Sequence, residues 1–499
     1  MQANRSVMEL EKLVGRLDEP LVTGSLARDI TSICYDSRQV TGGSLFCAIE
    51  GNRFDGHAFI EQAVERGASV VVSEKPALSN RATHIQVTNS REALARLAAA
   101  FYSDPSDKLQ LIGVTGTNGK TTTTFLIKHL LERAGQRTGL IGTVAYQIGE
   151  RILPAQRTTP ESVDLQHLFS QAVDAGCLNL AMEVSSIALE LGRVDYVRFR
   201  AGVFTNLTQD HLDFHPGMKQ YFQAKAKLFE KLYAVSPKSG LGVINVDDPY
   251  GQILIARFSD RLNIVTYGMG ARADFRASNY KIELTGTSYQ LDVKGKSYLV
   301  RVPLIGRFNI YNSLAALATV SSLGVDVRSS VLAMARAPQI PGRLEAVPAR
   351  RQFQVFVDYA HTDDALLNVV KTCRNLNPAR IILVFGCGGD RDRAKRPLMG
   401  AVADQYTDHA IITSDNPRKE DPEVIIRDIA IGFKRQKFET VVDRREAIAR
   451  AVGLARPRDI ILIAGKGHEK YQEFRDHTVP FDDVEVAMRA LEENPVHLS

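Results

Sequence analysis

The run Gly113-Val-Thr-Gly-Thr-Asn-Gly-Lys120-Thr121 constrains this chain more than any other stretch. An apolar segment, 109–114, leads into it and a helix-forming segment follows. That is the strand–loop–helix setting of a phosphate-cradling P-loop. Glycines let backbone N–H groups approach phosphate oxygens, a lysine brings charge to the β- and γ-phosphates, and a threonine hydroxyl can hold Mg²⁺. An ordinary Gly-rich turn would not need these flanks. The expectation is a site for ATP or GTP.

A chain of 499 residues divides into about three domains, each able to bury a core. Hydrophobic residues make up 44% and charged residues 24%, as in ordinary soluble globular proteins. No apolar run reaches the ~20 residues that span a bilayer, and the N-terminus lacks a signal-peptide pattern, so no membrane association is expected. Five cysteines, without a CxxC pair, fit a reducing cytoplasm and argue against a disulfide framework or zinc site. Cys387, just past a strand, reads either as a nucleophile or as a small loop residue, the latter being the simpler account. A net charge of +5 suits anionic small ligands, and no basic, aromatic-interleaved patch points to nucleic acid. A monomer is expected.

Three segments follow from composition and pattern. Residues 1–107 mix short strands (69–73, 84–87) with amphipathic helices such as 91–102, and the turn formers at 104–108 read as a linker. Residues 108–338 carry the P-loop and apolar strands at 178–184, 201–207, 240–246 and 263–267, a pattern of parallel sheet covered on both faces. The stretch 338–342, with two prolines and a glycine, marks a hinge. Residues 339–499 repeat this alternation, with strands at 353–357, 381–385, 410–413 and 460–464. Each runs into a polar loop: Asp358-Tyr-Ala-His361, Gly386-Cys-Gly-Gly-Asp390-Arg391, Ser414-Asp415-Asn416-Pro417-Arg418 and Gly465-Lys-Gly-His468-Glu469. Open α/β sheets bind ligands beyond the carboxyl ends of their strands, so a second, Rossmann-like site is expected there.

Within the second segment, Glu183 ends an apolar strand opposite the P-loop, where a carboxylate can serve a nucleotide-bound Mg²⁺. His211 lies in Asp210-His211-Leu-Asp213-Phe-His215, a loop able to bind metal; Asp210 as a helix N-cap is the plainer alternative. Lys225 and Lys227 fall on an amphipathic helix, where lysines are ordinarily solvated.

Gly116-Thr-Asn-Gly-Lys120-Thr, Glu183-Val-Ser-Ser186, the Asn206-to-His215 loop and Gly306-Arg-Phe-Asn309-x-Tyr-Asn312 together resemble the Mur ligases, the ATP-dependent amino-acid-adding enzymes of peptidoglycan synthesis. Asp36-Ser37-Arg38, Pro341-Gly-Arg343 and Asp358-Tyr-Ala-His361 extend the resemblance through all three segments. It implies a UDP-substrate domain, a central ATPase domain and a Rossmann-like amino-acid-binding domain. It places ATP on Gly116, Thr117, Asn118, Gly119, Lys120, Thr121 and Thr122, with Asn309, Asn312, Arg343 and Asp358. Mg²⁺ falls to Thr121, Glu183, His211 and Lys225, the last carrying a carbamate. Ser37, Thr158, Thr159, Ser185 and Arg193 match positions that grip the acyl substrate.

The tetrapeptide Asp415-Asn416-Pro417-Arg418 is similar to that of members adding meso-diaminopimelate rather than lysine. The implied reaction joins this amine to the D-glutamate γ-carboxylate of UDP-N-acetylmuramoyl-L-alanyl-D-glutamate, through an acyl phosphate, in the cytoplasm. Arg391 and Arg418 would pair with the distal carboxylate of diaminopimelate, and Asn416, Gly465 and Glu469 with its ammonium. Lysine would leave those guanidinium groups partly unpaired. Ile187 and Asp363 depart from the family's usual His and Pro. Lysine-adding and folylpolyglutamate-forming ligases are the alternatives within the fold, and a regulatory P-loop switch is the alternative outside it.

Overall fold

The computed structural model describes residues 7–493 apart from 52–53, 77–79, 212–213, 236–237, 350 and 436. Three principal sheets follow one another along the chain. The first has the spatial order Leu21–Thr23, Thr83–Gln86, Ala68–Ser73, Ser44–Cys47, Ser32–Cys34, parallel except for the antiparallel Leu21–Thr23. Its side chains alternate between two cores, Leu45, Val70, Val72 and Ile85 to one and Phe46 and Val71 to the other. Period-two alternation under helices on both faces gives continuous apolar strands.

The second sheet has eleven strands. Its parallel centre runs Thr138–Ile141, Asn179–Glu183, Gln110–Thr115, Phe199–Phe204, Leu241–Asn245, Asn263–Gly268. Ile112, Val114 and Val203 face one core, while Leu111, Met182 and Phe204 face the other. Each edge carries strands that the apolar-run criterion does not detect. Ala145–Ile148 and Arg151–Pro154 form a hairpin at one edge, and Phe275–Glu283, Gly286–Val293 and Lys296–Val302 form an antiparallel meander at the other. These strands bury one face only: Tyr289, Leu291 and Val293 point inward, with intermediate polar neighbours between them. Their hydrophobicity alternates instead of running continuously.

The third sheet has the order Glu345–Ala346, Gln354–Asp358, Ile460–Ala464, Ile381–Phe385, His409–Ile412, Phe438–Thr440, parallel apart from the first strand. Leu383 and Leu462 belong to one core, Val384 and Ile463 to the other. The segment at 104–108 is not a free tether: Pro105–Lys108 forms a 3₁₀ turn with Pro105 and Ser106 buried. The stretch at 338–342 is also anchored, because Ile340 is buried in the core of the second sheet. Ile305, at the mouth of the second sheet, packs with Leu366 and Val370 under the third, so the two sheets share a core margin.

No helix among the described residues is long and apolar enough to cross a membrane. All five cysteines are buried as free thiols. Cys387 lies 3.6 Å from Met399 Sδ, and burial raises its thiol pKa to about 12, the state of a packing residue and not of a nucleophile.

Candidate active site

The strand Gln110–Thr115 delivers the phosphate loop and the helix Lys120–Arg133 leaves it. Gly113 lies inside the strand, where a Cβ would stand 2.9 Å from the Phe199 ring, so it is a packing residue and the cradle begins at Gly116. Gly119 sits at φ +86°, and a Cβ there would lie 2.3 Å from Asn312 Oδ1. Only glycine satisfies both demands. The neighbouring strand end braces the loop. Asn118 N–H donates to Asn206 Oδ1 at 2.9 Å, Thr205 Oγ1 to the Asn118 carbonyl at 2.6 Å, and Thr117 N–H to the Asn206 carbonyl at 2.9 Å. Thr122 is buried on the helix beyond.

Two lysines converge on one carbonyl. Lys120 Nζ donates to Gly116 O at 3.0 Å and Thr117 O at 2.7 Å, and Lys225 Nζ donates to Gly116 O at 2.8 Å. Lys225 shares the buried stripe of the helix Met218–Val235 with Tyr221, Leu228, Phe229 and Leu232, and its Nζ lies 4.4 Å over the Tyr221 ring. Burial, followed by the Lys120 charge, draws its pKa well below the ordinary lysine value; Asp210 opposes them. Lys227, on the other face, pairs with Glu190 at 2.8 Å and stays partly exposed. The plain helical pattern assigns both lysines to solvent. It fails for Lys225 because the i, i+3, i+4 stripe runs through it.

Glu183 ends its strand fully enclosed. Its Oε1 accepts from Thr121 Oγ1 at 3.0 Å and Thr143 N–H at 2.8 Å, and its Oε2 from Thr143 Oγ1 at 3.2 Å. Thr143, a lone threonine in a loop, carries no sequence signal for this role. His211 has φ +52° and lies 6.1 Å, centroid to centroid, from the Tyr221 ring that Lys225 also meets. Asp210 does not cap Met218–Val235, the next helix among the described residues; its carboxylate accepts from His211 N–H at 2.8 Å. Asp213 lies outside the described residues.

The residues matched to the acyl substrate fall at the junction of the first and second sheets. Thr159 Oγ1 donates to the Glu183 carbonyl at 2.9 Å and accepts from Ser185 N–H at 3.1 Å. Ser185 caps the helix Ser186–Glu190, which accommodates Ile187 without strain on the cap. Thr158 and Thr143 hydroxyls stand 3.1 Å apart. Arg193 reaches the Thr159 carbonyl at 3.2 Å and the buried Glu161 at 2.8 Å. Glu161 also takes Arg157 at 2.5 Å, so one buried carboxylate gathers two arginines beside these threonines. Ser37 is farther along the first sheet, bonded to Gln62 Oε1 at 2.7 Å.

From the third sheet, Arg343 Nη2 donates to Thr121 Oγ1 at 3.2 Å and its guanidinium lies 4.9 Å over Tyr359. Asp358 supports this turn from beneath, accepting from Leu344 N–H at 2.6 Å and Ala360 N–H at 2.8 Å. These two bonds hold the Arg343 turn. Asn309 anchors to the Ile305 carbonyl at 2.9 Å and accepts from Asn312 Nδ2 at 3.0 Å. Thr208 Oγ1 donates to Asp364 Oδ2 at 3.2 Å, a second bond between the two sheets. Asp363 opens the helix Asp363–Arg374 after the Thr362 cap, where an acid fits the helix dipole as well as proline fits the backbone.

The loops at the carboxyl edge of the third sheet form one network. Arg418, at φ +51°, donates from Nε to Glu473 Oε2 at 2.8 Å and from Nη1 to the Gly389 carbonyl at 2.8 Å. A Cβ on Gly388 would meet both Arg418 and Arg391, so the two arginines flank one glycine. Asn416 Nδ2 donates to Glu469 Oε2 at 2.8 Å, Asp415 Oδ1 accepts from Asn416 N–H at 2.7 Å, and Pro417 O accepts from Glu420 N–H at 3.0 Å. Gly465 N–H donates to the Asp358 carbonyl at 3.1 Å, tying this clamp to the Arg343 turn.

The architecture is that of a three-domain nucleotide-using ligase, and the chain belongs to the Mur ligase family. Residues 29–102 match the family's model described as catalytic domain, residues 114–320 its middle domain and residues 342–467 its glutamate ligase domain. A UDP-N-acetylmuramoyl-L-alanyl-D-glutamate–2,6-diaminopimelate ligase from Syntrophomonas wolfei is 44% identical over 488 residues, covering 97% of this chain and 99% of that one. A ligase of the same name from Solibacter usitatus is 46% identical over 479 residues, covering 95% and 96%. A solved structure of a ligase with that name superposes with a TM-score of 0.69 at 32% identity, covering 98% of this chain and 99% of that one.

Proposed function

We propose that this protein is the ATP-dependent ligase joining meso-2,6-diaminopimelate to the D-glutamate γ-carboxylate of UDP-N-acetylmuramoyl-L-alanyl-D-glutamate. The observation that carries the reading is the meeting of two loops from different sheets. Arg343, at the entry of the third sheet, bonds Thr121 of the phosphate loop, while the same sheet's edge carries the Asp415–Arg418 clamp. Full-length relatives bearing the diaminopimelate ligase name support the choice of amine.

The γ-carboxylate attacks the γ-phosphorus of ATP, ADP leaves, and the acyl phosphate forms. The neutral amine then adds to the acyl carbon and phosphate departs. Neither step needs a protein nucleophile; the chain contributes position and charge. Lys120, now folded onto Gly116 and Thr117, would swing to the phosphates. Thr158, Thr159, Ser185 and Arg193 would hold the acyl end, Ser37 the uridine diphosphate end, and Asn309 and Asn312 the nucleotide.

Thr121 and Glu183 are hard oxygen donors at the mouth of the loop, which fits Mg²⁺. Among the described residues no group of three or more His, Cys, Asp or Glu forms a ready cage, so nucleotide oxygens and water would complete the shell, as this ion prefers. When bound, Mg²⁺ offsets negative charge on the phosphates. His211 would approach from the exposed side. Lys225 as an ammonium cannot ligate a cation, and as an amine it is a poor donor to the oxygen-preferring Mg²⁺. Its lowered pKa supplies the neutral nitrogen that adds CO₂, forming an N–C bond and releasing one proton, and the resulting carbamate is an oxygen ligand.

Incubation with the UDP-linked dipeptide, meso-diaminopimelate and ATP tests the reading. A UDP-linked product heavier by one diaminopimelate less one water, with one ADP per product, is expected. ADP release that needs neither acyl substrate nor amine would instead mark a nucleotide switch.

A further inference from the structure

Lys466 is the most enclosed charged group of the clamp and has no part in the reading above: it is 0% exposed. Its Nζ donates to Asn416 Oδ1 at 2.9 Å and Glu469 Oε2 at 3.1 Å, and lies 5.5 Å from the Tyr471 ring centroid. An ammonium has three donors and no acceptor. Asn416 must therefore turn Oδ1 toward Lys466, where Glu473 N–H also donates at 3.0 Å, and Nδ2 toward Glu469. The carboxylate bonds of Glu469 among the described residues both fall on Oε2, which leaves Oε1 as the oxygen free to take a ligand ammonium.

Resting on the diaminopimelate reading, we infer that Lys466 is a positioning residue for the amine substrate: it fixes the Asn416 amide and the Glu469 carboxylate in the one arrangement that presents an acceptor to the distal head group. Lys466 also offsets charge. Asp415, Glu469 and Glu473 crowd this edge, and with Arg418 already on Glu473 the buried ammonium keeps the pocket near neutrality. A near-neutral pocket of mixed sign suits a zwitterionic head group better than a simple cation.

The test is Lys466→Met, assayed by ADP release with each substrate varied in turn. KM for meso-diaminopimelate should rise at least tenfold, while KM for ATP and for the UDP-linked dipeptide stay within twofold. Asn416→Ala added to Lys466→Met should raise KM for the amine less than threefold further, because one arrangement has already been lost. An unchanged KM for the amine, an equal rise for all three substrates, or fully multiplicative effects would overturn the inference. Should Lys466→Met fail to fold, Lys466→Gln keeps a polar donor but is one atom shorter and uncharged, so it should still raise KM for the amine about threefold or more; wild-type values for it would also overturn the inference. Wild-type enzyme inactive with diaminopimelate would sink the underlying reading instead, so the two failures are distinct.

Discussion

At the scale of single residues, context within an element decides what a side chain can do. Lys225 and Lys227 are two positions apart on one helix, yet one is buried against Gly116 and Tyr221 and the other is an exposed partner of Glu190. Lys225→Ala should abolish ADP release while leaving the fold intact, and short carboxylic acids supplied to the variant should restore part of the rate; absence of any rescue would count against the carbamate. Arg418→Lys removes the fork that holds Glu473 and Gly389 together. It should raise KM for diaminopimelate roughly tenfold or more while ATP binding, followed by nucleotide fluorescence, changes less than twofold. The phosphate-loop glycines, Thr121 and Glu183 carry chemistry in their residue types and setting, whereas the clamp tetrapeptide was legible only through its resemblance to the Mur ligases. Thr143, Glu161 and Lys466 were not legible: a threonine, a glutamate and a lysine acquire their roles only from neighbours distant in sequence.

Elements were legible in proportion to how fully they are buried. Continuous apolar runs such as Ile381–Phe385 and Ile460–Ala464 matched the strands residue for residue, since both faces are covered. The meander Phe275–Val302 was lost because only one face is buried and its pattern alternates. Two contacts between elements invite measurement. Arg444 and Asp483, whose side chains are both 0% exposed, join the helices Arg444–Leu454 and Asp483–Glu493 through paired bonds of 2.7 Å. Asp483→Ala would strand a buried guanidinium and should destabilise the protein by about 3–5 kcal/mol in chemical denaturation; a change below about 1 kcal/mol would refute that weight. Gly342 has φ +65°, and a Cβ there would stand 2.2 Å from His468 N, a backbone atom that cannot yield. Gly342→Ala should therefore displace the Arg343 turn and lower kcat at least tenfold.

At the scale of the molecule, loops from the carboxyl ends of the second sheet's strands meet residues of the third sheet. The phosphate loop belongs to the second sheet, the clamp to the third, and Arg343–Thr121 and Thr208–Asp364 are two of the bonds between them, beside the core margin shared at Ile305. Length and the alternation of strand and helix led to three segments, each of which carries one principal sheet, but the placement of the sheets rests on contacts between residues distant in sequence that no local pattern encodes. The third sheet is expected to choose an amine with two amino-acid head groups. The most direct test of that choice compares kcat/KM for meso-diaminopimelate and L-lysine with the UDP-linked dipeptide and ATP held saturating. A preference for diaminopimelate of roughly a hundredfold or more is predicted, since lysine lacks the second carboxylate that Arg391 and Arg418 would pair with. Equal values for the two amines, or a preference for lysine, would contradict it.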